Sequence, residues 1–144
     1  MKLLNKAQII KKLYSNVFDR IALEYKITAN EVMILTFLKE DFDQDMATDI
    51  VNTLMISKSH VSLSVNNLEK AGYIVKKQDV NDKKKIHLEI TENAKPILDE
   101  IEDEQNNLYE VIFKGSNRVN QIFVTFDGFS YNPNYYMTYS ALVN

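Results

Sequence analysis

The chain has 144 residues, of which 26% are charged and 45% hydrophobic, the length and composition of one soluble globular domain with a buried core. It contains no cysteine, which excludes disulfides, thiolate metal sites and thiol redox switches, and its net charge of −3 gives no overall attraction to nucleic acid. No apolar run reaches the roughly 18–20 residues that span a bilayer, and the N-terminus lacks a signal-peptide pattern, so we expect a cytoplasmic protein without a membrane partner.

Helical spacing of apolar residues predicts three helices in the first third of the chain. The first covers about 6–25 and has an apolar stripe that is wider than one-sided burial in a small domain requires. The second begins at a capping box, in which Thr28 caps the helix and Glu31 reaches back, and it ends near Lys39. A polar loop then precedes a short third helix, predicted over roughly 45–53.

The stretch 57–74 is predicted to be a capped helix, with Ser57 as the N-cap and Gly72 as the glycine after the last turn. Its apolar residues Val61, Val65 and Leu68 share one side. The other side is polar and weakly basic, which suits a DNA major groove, although an ordinary amphipathic surface helix fits the pattern equally well. The candidate DNA-reading residues are Ser57, Lys58, Ser59, His60, Ser62, Leu63, Asn66, Asn67 and Lys70.

After this helix the spacing changes to alternation, which predicts a β-hairpin. Its strands are Val75–Gln78 and a segment that holds Ile86, Leu88 and Ile90 on one side, with a turn over Asp79–Asp82. Residues 57–90 carry seven lysines against four carboxylates, a balance of +3, whereas residues 92–114 carry two lysines against seven carboxylates, a balance of −5. A hairpin with lysines at its tip, placed directly after two short helices, is typical of a wing.

From Thr91 the chain becomes helical again, with Thr91 predicted as the N-cap and Pro96 tolerated near the first turn. The apolar stripe of this helix runs from Ala94 to Ile112, with Gln105 in one polar slot. The opposite face is strongly acidic. The helix is therefore longer, and its other face more acidic, than a winged helix alone requires.

Residues 6–114 resemble the MarR-type winged-helix transcriptional regulators. The most specific part is the wing motif Asp79-Val80-Asn81-Asp82-Lys83-Lys84 with its strand ending Glu89-Ile90-Thr91, preceded by the helix exit Leu68-Glu69-Lys70-Ala71-Gly72-Tyr73-Ile74. The resemblance implies a mainly α fold with a small β wing in a domain over 1–115. It also implies a DNA-binding core of about 28–91 and dimerisation helices at about 6–25 and 92–114. The implied wing roles are structural for Asp79 and Asp82, and DNA contacts for Lys83, Lys84 and Lys85.

Two departures from the family pattern concern DNA recognition. The family commonly has arginine in the wing and at the recognition-helix position that Leu63 occupies here. Lysine gives point-charge contacts and lacks the forked geometry of arginine. Leu63 either contacts thymine methyl groups or signals weakened specific binding.

The predicted function is therefore a homodimeric, DNA-binding transcriptional regulator, with a repressor favoured, that binds a pseudo-palindromic operator in double-stranded DNA. The alternative is a winged-helix protein-interaction module that has lost specific DNA binding. No nucleophile elbow, Walker loop, dinucleotide glycine pattern or HExxH motif is present, so we expect neither an enzyme nor a cofactor. A metal site needs three or four ligands that converge, and with only two histidines and no cysteine we expect none. The resemblance also implies a small aromatic effector, unidentified, although ordinary core burial is favoured for the aromatic residues Tyr14, Phe18, Phe37 and Phe113.

Residues 116–144 form an atypical C-terminal segment that is rich in tyrosine, phenylalanine and asparagine, with Arg118 and Asp127 as its only charged residues. A short helix over about 117–126 is predicted, followed by an irregular tail. The family usually ends in a charged amphipathic helix here. The segment either packs on the dimer interface or is a divergent or read-through terminus.

Overall fold

The computed structural model describes residues 3–41 and 43–114. The described elements are mainly helical, with one two-stranded antiparallel sheet, and this order confirms the predicted fold class of a winged helix-turn-helix. The elements are helices α1 (Leu3–Tyr25), α2 (Ala29–Glu40), α3 (Ala47–Leu54) and α4 (Lys58–Lys70), strands β1 (Ile74–Gln78) and β2 (Ile86–Ile90), a 3-10 turn (Glu92–Ala94) and helix α5 (Lys95–Lys114).

Three predicted helix caps are confirmed, at Thr28, Ser57 and Gly72. Glu31 N donates to Thr28 Oγ1 (3.1 Å) while Thr28 N donates to the Glu31 carboxylate (3.2 Å), which is the reciprocal arrangement of a capping box. Ser57 Oγ accepts from His60 N at 3.3 Å at the start of α4. Gly72 follows α4 with φ of 82°, a left-handed conformation that glycine adopts without steric cost.

One predicted boundary is wrong, and one predicted cap stands at the N-cap position without its side-chain hydrogen bond; long-range hydrogen bonds explain both. The third helix begins at Ala47 rather than Asp45, because Asp45 O accepts from Leu88 N (2.9 Å) and so belongs to the α2–α3 link beside β2. Thr91 does not cap a helix with its side chain, because its hydroxyl donates to Gly72 O at 2.5 Å. A 3-10 turn therefore precedes α5.

The unit formed by residues 21–99 contains the helix-turn-helix and the sheet. Within it α3 packs against α4, α2 and α3 pack against β2, and α4 packs against β1. Its core is apolar and fully enclosed, as expected for close-packed short elements. The side chains at its centre include Leu35, Phe37, Ile50, Val61, Leu68, Ile74 and Leu88.

The second unit contains the described residues up to Arg20 and from Glu100 onward. The α1 stripe that the sequence suggested was unusually wide is largely buried within the chain: Ile10, Tyr14, Val17 and Phe18 are all buried here. The Tyr14 and Phe18 rings lie 6.1 Å apart, the spacing of an ordinary aromatic pair in a core. An effector pocket and the dimer both stay predictions.

Other predictions lie outside the part of the chain that the structure describes. These are the segment 116–144 and the side chain of Phe113. The proposed domain of 1–115, with its core of 28–91, also stays a prediction. Among the described helices none is both long enough and apolar enough to cross a lipid bilayer.

Candidate nucleic-acid interface

Helix α4 buries one side and exposes the other, because its apolar residues recur at helical spacing. Val61, Val65 and Leu68 are buried, and Ser64 is buried with them. All nine residues that the sequence indicated as DNA-reading are exposed: Ser57, Lys58, Ser59, His60, Ser62, Leu63, Asn66, Asn67 and Lys70. The helix therefore presents a polar, weakly basic surface that is held in place by an apolar underside.

Asn66 is joined to the hairpin by Lys76 of β1. Lys76 Nζ donates to Asn66 Oδ1 at 2.6 Å and also lies 3.5 Å from Glu69 Oε1. Bidentate recognition of adenine by an asparagine uses both its amide oxygen and its amide nitrogen. In this arrangement the oxygen already accepts from Lys76 and keeps one lone pair, so contact with adenine through both amide atoms would have to share the oxygen with Lys76.

The turn between α3 and α4 contains a residue that sequence reasoning did not single out. Met55 has φ of 57° and ψ of 33°, a left-handed conformation that is uncommon for a residue with a side chain. Its side chain is 85% exposed, next to the start of the recognition helix. Neither glycine nor asparagine stands at this position to indicate such a turn, so no signal was available.

The wing turn is organised by two carboxylates. Asp79 Oδ2 accepts from Asn81 N and Asp82 N, both at 2.9 Å, and Asp82 Oδ1 accepts from Lys84 N at 2.9 Å. Asp79 N donates to Lys85 O at 2.9 Å, so the turn joins β1 to β2 over residues 79–85 and is longer than the predicted four residues. Both predicted wing aspartates therefore bind backbone N–H groups of the turn.

Three exposed lysines, Lys83, Lys84 and Lys85, follow one another in this turn. The backbone beneath them is fixed, because Gln78 Nε2 donates to Lys83 O at 2.9 Å and Lys85 N donates to Asp82 O at 3.0 Å. The side chains thus extend from an ordered backbone. Compact ammonium groups in such a place are suited to contacts with phosphate oxygens.

For His87 of β2 the sequence indicated that a metal-binding role was not expected, but it did not indicate the two partners of the ring. Its Nδ1 lies 2.7 Å from Asp45 Oδ1 in the α2–α3 link, and its Nε2 lies 2.7 Å from Asp79 Oδ1 in the wing turn. The hydrogen bond to Asp45, and then that to Asp79, raises the pKa of His87 above its ordinary value. The hydrogen bond from His87, followed by those from the turn backbone, lowers the pKa of Asp79 to about 2.

The described residues contain no group of three or more histidine, aspartate or glutamate side chains that could hold a metal ion. His87 lies within ion-pair distance of both aspartates and pairs with them when its ring is protonated. Asp79 takes part in both arrangements, since one of its oxygens faces the imidazole and the other accepts from the turn backbone.

A family model described as the transcriptional regulator SarA/Rot matches residues 16–101. The HTH-type transcriptional regulator FarR of Neisseria gonorrhoeae is 27% identical over 95 residues, which cover 66% of this chain and 64% of that protein. The chain therefore spans just under two thirds of the length of the curated relatives it matches.

Solved structures of MarR proteins share the fold. The MarR protein from Peptoclostridium difficile DA00132 superposes with a TM-score of 0.70 at 22% identity, covering 89% of this chain and 84% of that one. The MepR–DNA complex of S. aureus gives a TM-score of 0.61 at 17% identity, covering 84% and 91%. These likenesses confirm the winged-helix fold of MarR proteins that the wing motif indicated.

Proposed function

The chain belongs to the SarA/Rot family of winged-helix transcriptional regulators, and on that premise we propose that it is a homodimeric repressor of the cytoplasm that binds a pseudo-palindromic operator. The observation that carries the proposal is the surface of α4 together with the wing turn. Nine exposed residues, eight polar and one leucine, lie on α4 or at its N-cap, and three exposed lysines lie on the adjoining hairpin. Both elements lie in the unit of residues 21–99.

Helix α4 would enter the major groove, because its exposed face has the short hydrogen-bonding side chains that read base edges. Asn66 and Asn67 supply amides, Ser59 and Ser62 supply hydroxyls, and Leu63 supplies an apolar surface that is 58% exposed. An exposed leucine on such a face fits contact with a thymine methyl group. Specificity would come from this helix.

The wing would bind the sugar-phosphate backbone. Lys83, Lys84 and Lys85 carry charge without the forked geometry that reads guanine, so they add affinity but little sequence information. The solved complex of MepR with DNA is a precedent for DNA binding by this fold.

A dimer would present two recognition helices, one for each half of the operator. Proteins of this type read half-sites about one helical turn, roughly 10 base pairs, apart centre to centre. The support for the dimer is the family resemblance over 6–25 and 92–114, since the α1 stripe is largely buried within the single chain.

The test is binding of the purified protein to duplexes that tile the DNA flanking its own gene, measured by fluorescence anisotropy against a scrambled duplex of the same composition. We expect tighter, saturable binding to one duplex, a footprint with twofold symmetry, and a dimer in sedimentation experiments. Equal affinity for every duplex would refute the specific regulator. A well-folded monomer would refute the symmetric operator.

The interaction-module alternative makes the opposite prediction in the same assay. The exposed apolar side chains Met55 and Leu63, 85% and 58% exposed, are the observation that favours it, since such residues are also found at protein interfaces. A protein that binds no duplex even at low salt would favour this alternative.

A further inference from the structure

The His87 cluster ties the wing to a different part of the chain. Asp45 lies 42 residues before His87 and belongs to the α2–α3 link, whereas Asp79 belongs to the wing turn. The link is tied to β2 a second time, because Asp45 O accepts from Leu88 N at 2.9 Å. The three side chains are half-buried, 26–31% exposed, so the contacts are partly shielded from water.

The two contacts require a charged imidazole. An ionised carboxylate only accepts hydrogen bonds, and a neutral imidazole has a single N–H to donate. Here both ring nitrogens lie 2.7 Å from carboxylate oxygens, so both carry hydrogen when the two carboxylates are ionised. If the proton is lost, one nitrogen faces a carboxylate with a lone pair, and that contact becomes repulsive.

The consequence reaches the lysines of the turn. Asp79, which His87 holds through Oδ1, binds the backbone of Asn81 and Asp82 through Oδ2. The link that carries Asp45 leads directly into α3, which packs against α4. The imidazole therefore stands between the turn that presents the lysines and the helix pair that presents the recognition surface.

We propose that His87, as an imidazolium, is a positioning residue for DNA binding: it fastens the wing turn to the α2–α3 link and thereby fixes the turn lysines relative to α4. The inference rests on the DNA-binding function proposed above. It adds to that function a dependence of DNA affinity on the protonation of the His87 ring.

Other ionisable groups surround the cluster, but the two aspartates supply the carboxylates bonded to the ring. The cross-strand partner Lys77 has its ammonium 2.6 Å from Glu89 Oε2, and Asp49 on α3 accepts from Met46 N. The remaining ionisable residues on the adjoining elements are Glu31, Lys39 and Glu40 on α2, Asp41 and Asp43 in the link, Lys76 on β1, and Asp82, Lys83, Lys84 and Lys85 in the turn.

The direction of the pH effect follows from the raised pKa of His87. The stabilisation of the wing is fully present below the ordinary histidine pKa of about 6.5 and is lost as pH rises through the higher pKa of the folded protein. DNA affinity should therefore fall on the alkaline side of that window.

The experiment measures DNA affinity at constant ionic strength from about pH 5.5 to about pH 9, the range across which imidazole titrates. The only other histidine, His60, is itself a proposed DNA contact, so the reference protein and all variants carry His60→Gln. His87→Gln removes the charge, and His87→Arg supplies a permanent cation with donors for both aspartates. The matched control is Glu89→Gln, two residues along β2, whose carboxylate contacts Lys77 rather than the cluster.

We expect the affinity of the reference protein to fall about ten-fold across the window, within the usual range for coupled sites. His87→Gln should bind at the alkaline level at every pH, and His87→Arg at the acidic level at every pH. Glu89→Gln releases Lys77 and so shifts the overall affinity, but its affinity should fall with pH by the same factor as that of the reference. A simple loss of folding would not give this pattern, because the arginine variant restores affinity only where the reference has lost it.

The second measurement, NMR titration of the His87 ring in the full chain, needs no variant at His87. Its midpoint should lie above about 6.5. By reciprocity, DNA should raise the midpoint by about half a pH unit for each imidazole, if a ten-fold effect is shared by two subunits.

A midpoint that DNA does not move, or a reference profile identical to that of His87→Gln, overturns the inference while leaving the DNA-binding function intact. The absence of DNA binding at any pH overturns the proposed function and this inference with it. The two failures are therefore distinguishable.

Discussion

Removing the charge of the wing tip should change the salt dependence of DNA binding more than any other property of the protein. Lys83 and Lys84 are exposed, and both lie on a turn whose backbone is fixed by Asp79 and Asp82. If each lysine binds one phosphate, the double variant Lys83→Ala/Lys84→Ala removes four contacts from a dimer. Each phosphate contact contributes about 0.9 to the slope of log K against log salt, so the slope should become shallower by about 3.6.

The magnitude is large enough to measure directly. Between 50 and 200 mM salt, a slope difference of this size reduces the ratio of wild-type to variant affinity by about 150-fold. The loss should be equal on operator and scrambled DNA, because phosphate contacts carry no sequence information. Anisotropy titrations at several salt concentrations on both duplexes provide the measurement.

The matched control is Lys11→Ala/Lys12→Ala, which removes two adjacent exposed lysines from α1. It has the same change in net charge and lies outside α4 and the wing. Because α1 belongs to the predicted dimerisation region, sedimentation first checks that this variant is still a dimer; its slope should then stay close to that of the wild type. An unaltered slope in the Lys83/Lys84 variant would refute wing contact with DNA. If both double variants became shallower in slope by the same amount, net charge alone would be responsible.

Three further predictions concern helix α4 and the residues beside it. Leu68→Ala should lower the unfolding free energy by about 2–5 kcal/mol in denaturant titrations, because Leu68 is fully buried. The exposed Leu63 is the matched comparison: Leu63→Ala should change the unfolding free energy by less than about 0.5 kcal/mol, yet reduce discrimination at thymine positions of the operator by about 1–3 kcal/mol. Lys76→Met should release Asn66 Oδ1 and increase the preference for adenine in a binding-site selection; an unchanged preference would show that DNA already displaces Lys76. Met55→Gly should raise the unfolding free energy by about 1 kcal/mol, since it relieves a left-handed residue, and a loss of stability would contradict that conformation.

The local features of the fold could be predicted from sequence because each has a short-range cause. Val61, Val65 and Leu68 recur at helical spacing, and the capping groups Ser57 and Gly72 lie within a residue or two of the ends of α4. The alternation of residues 86–90 likewise indicates a strand without reference to any partner. Such patterns place elements well.

The contacts that sequence could not predict join residues that are far apart in the chain. Asp45 looks like the start of a helix, yet its backbone and side chain are bound to Leu88 and His87. Thr91 looks like a helix cap, yet its hydroxyl is bound to Gly72. In each case a tertiary hydrogen bond competes with a local one, and spacing along the chain does not report which prevails.

The distribution of charge determines which lysines matter for an acidic protein that binds DNA. Residues 57–90 have a balance of +3 in a chain whose net charge is −3, and they contain the proposed DNA-binding surface, so we expect this segment to attract phosphate. Within it Lys76 and Lys77 are partly offset by Glu69 and Glu89, at 3.5 and 2.6 Å. In the described part of the chain the lysines of 83–85 form no ion pair. Their charge is therefore not offset by an ion pair, and a loss of charge at the wing should have a large effect.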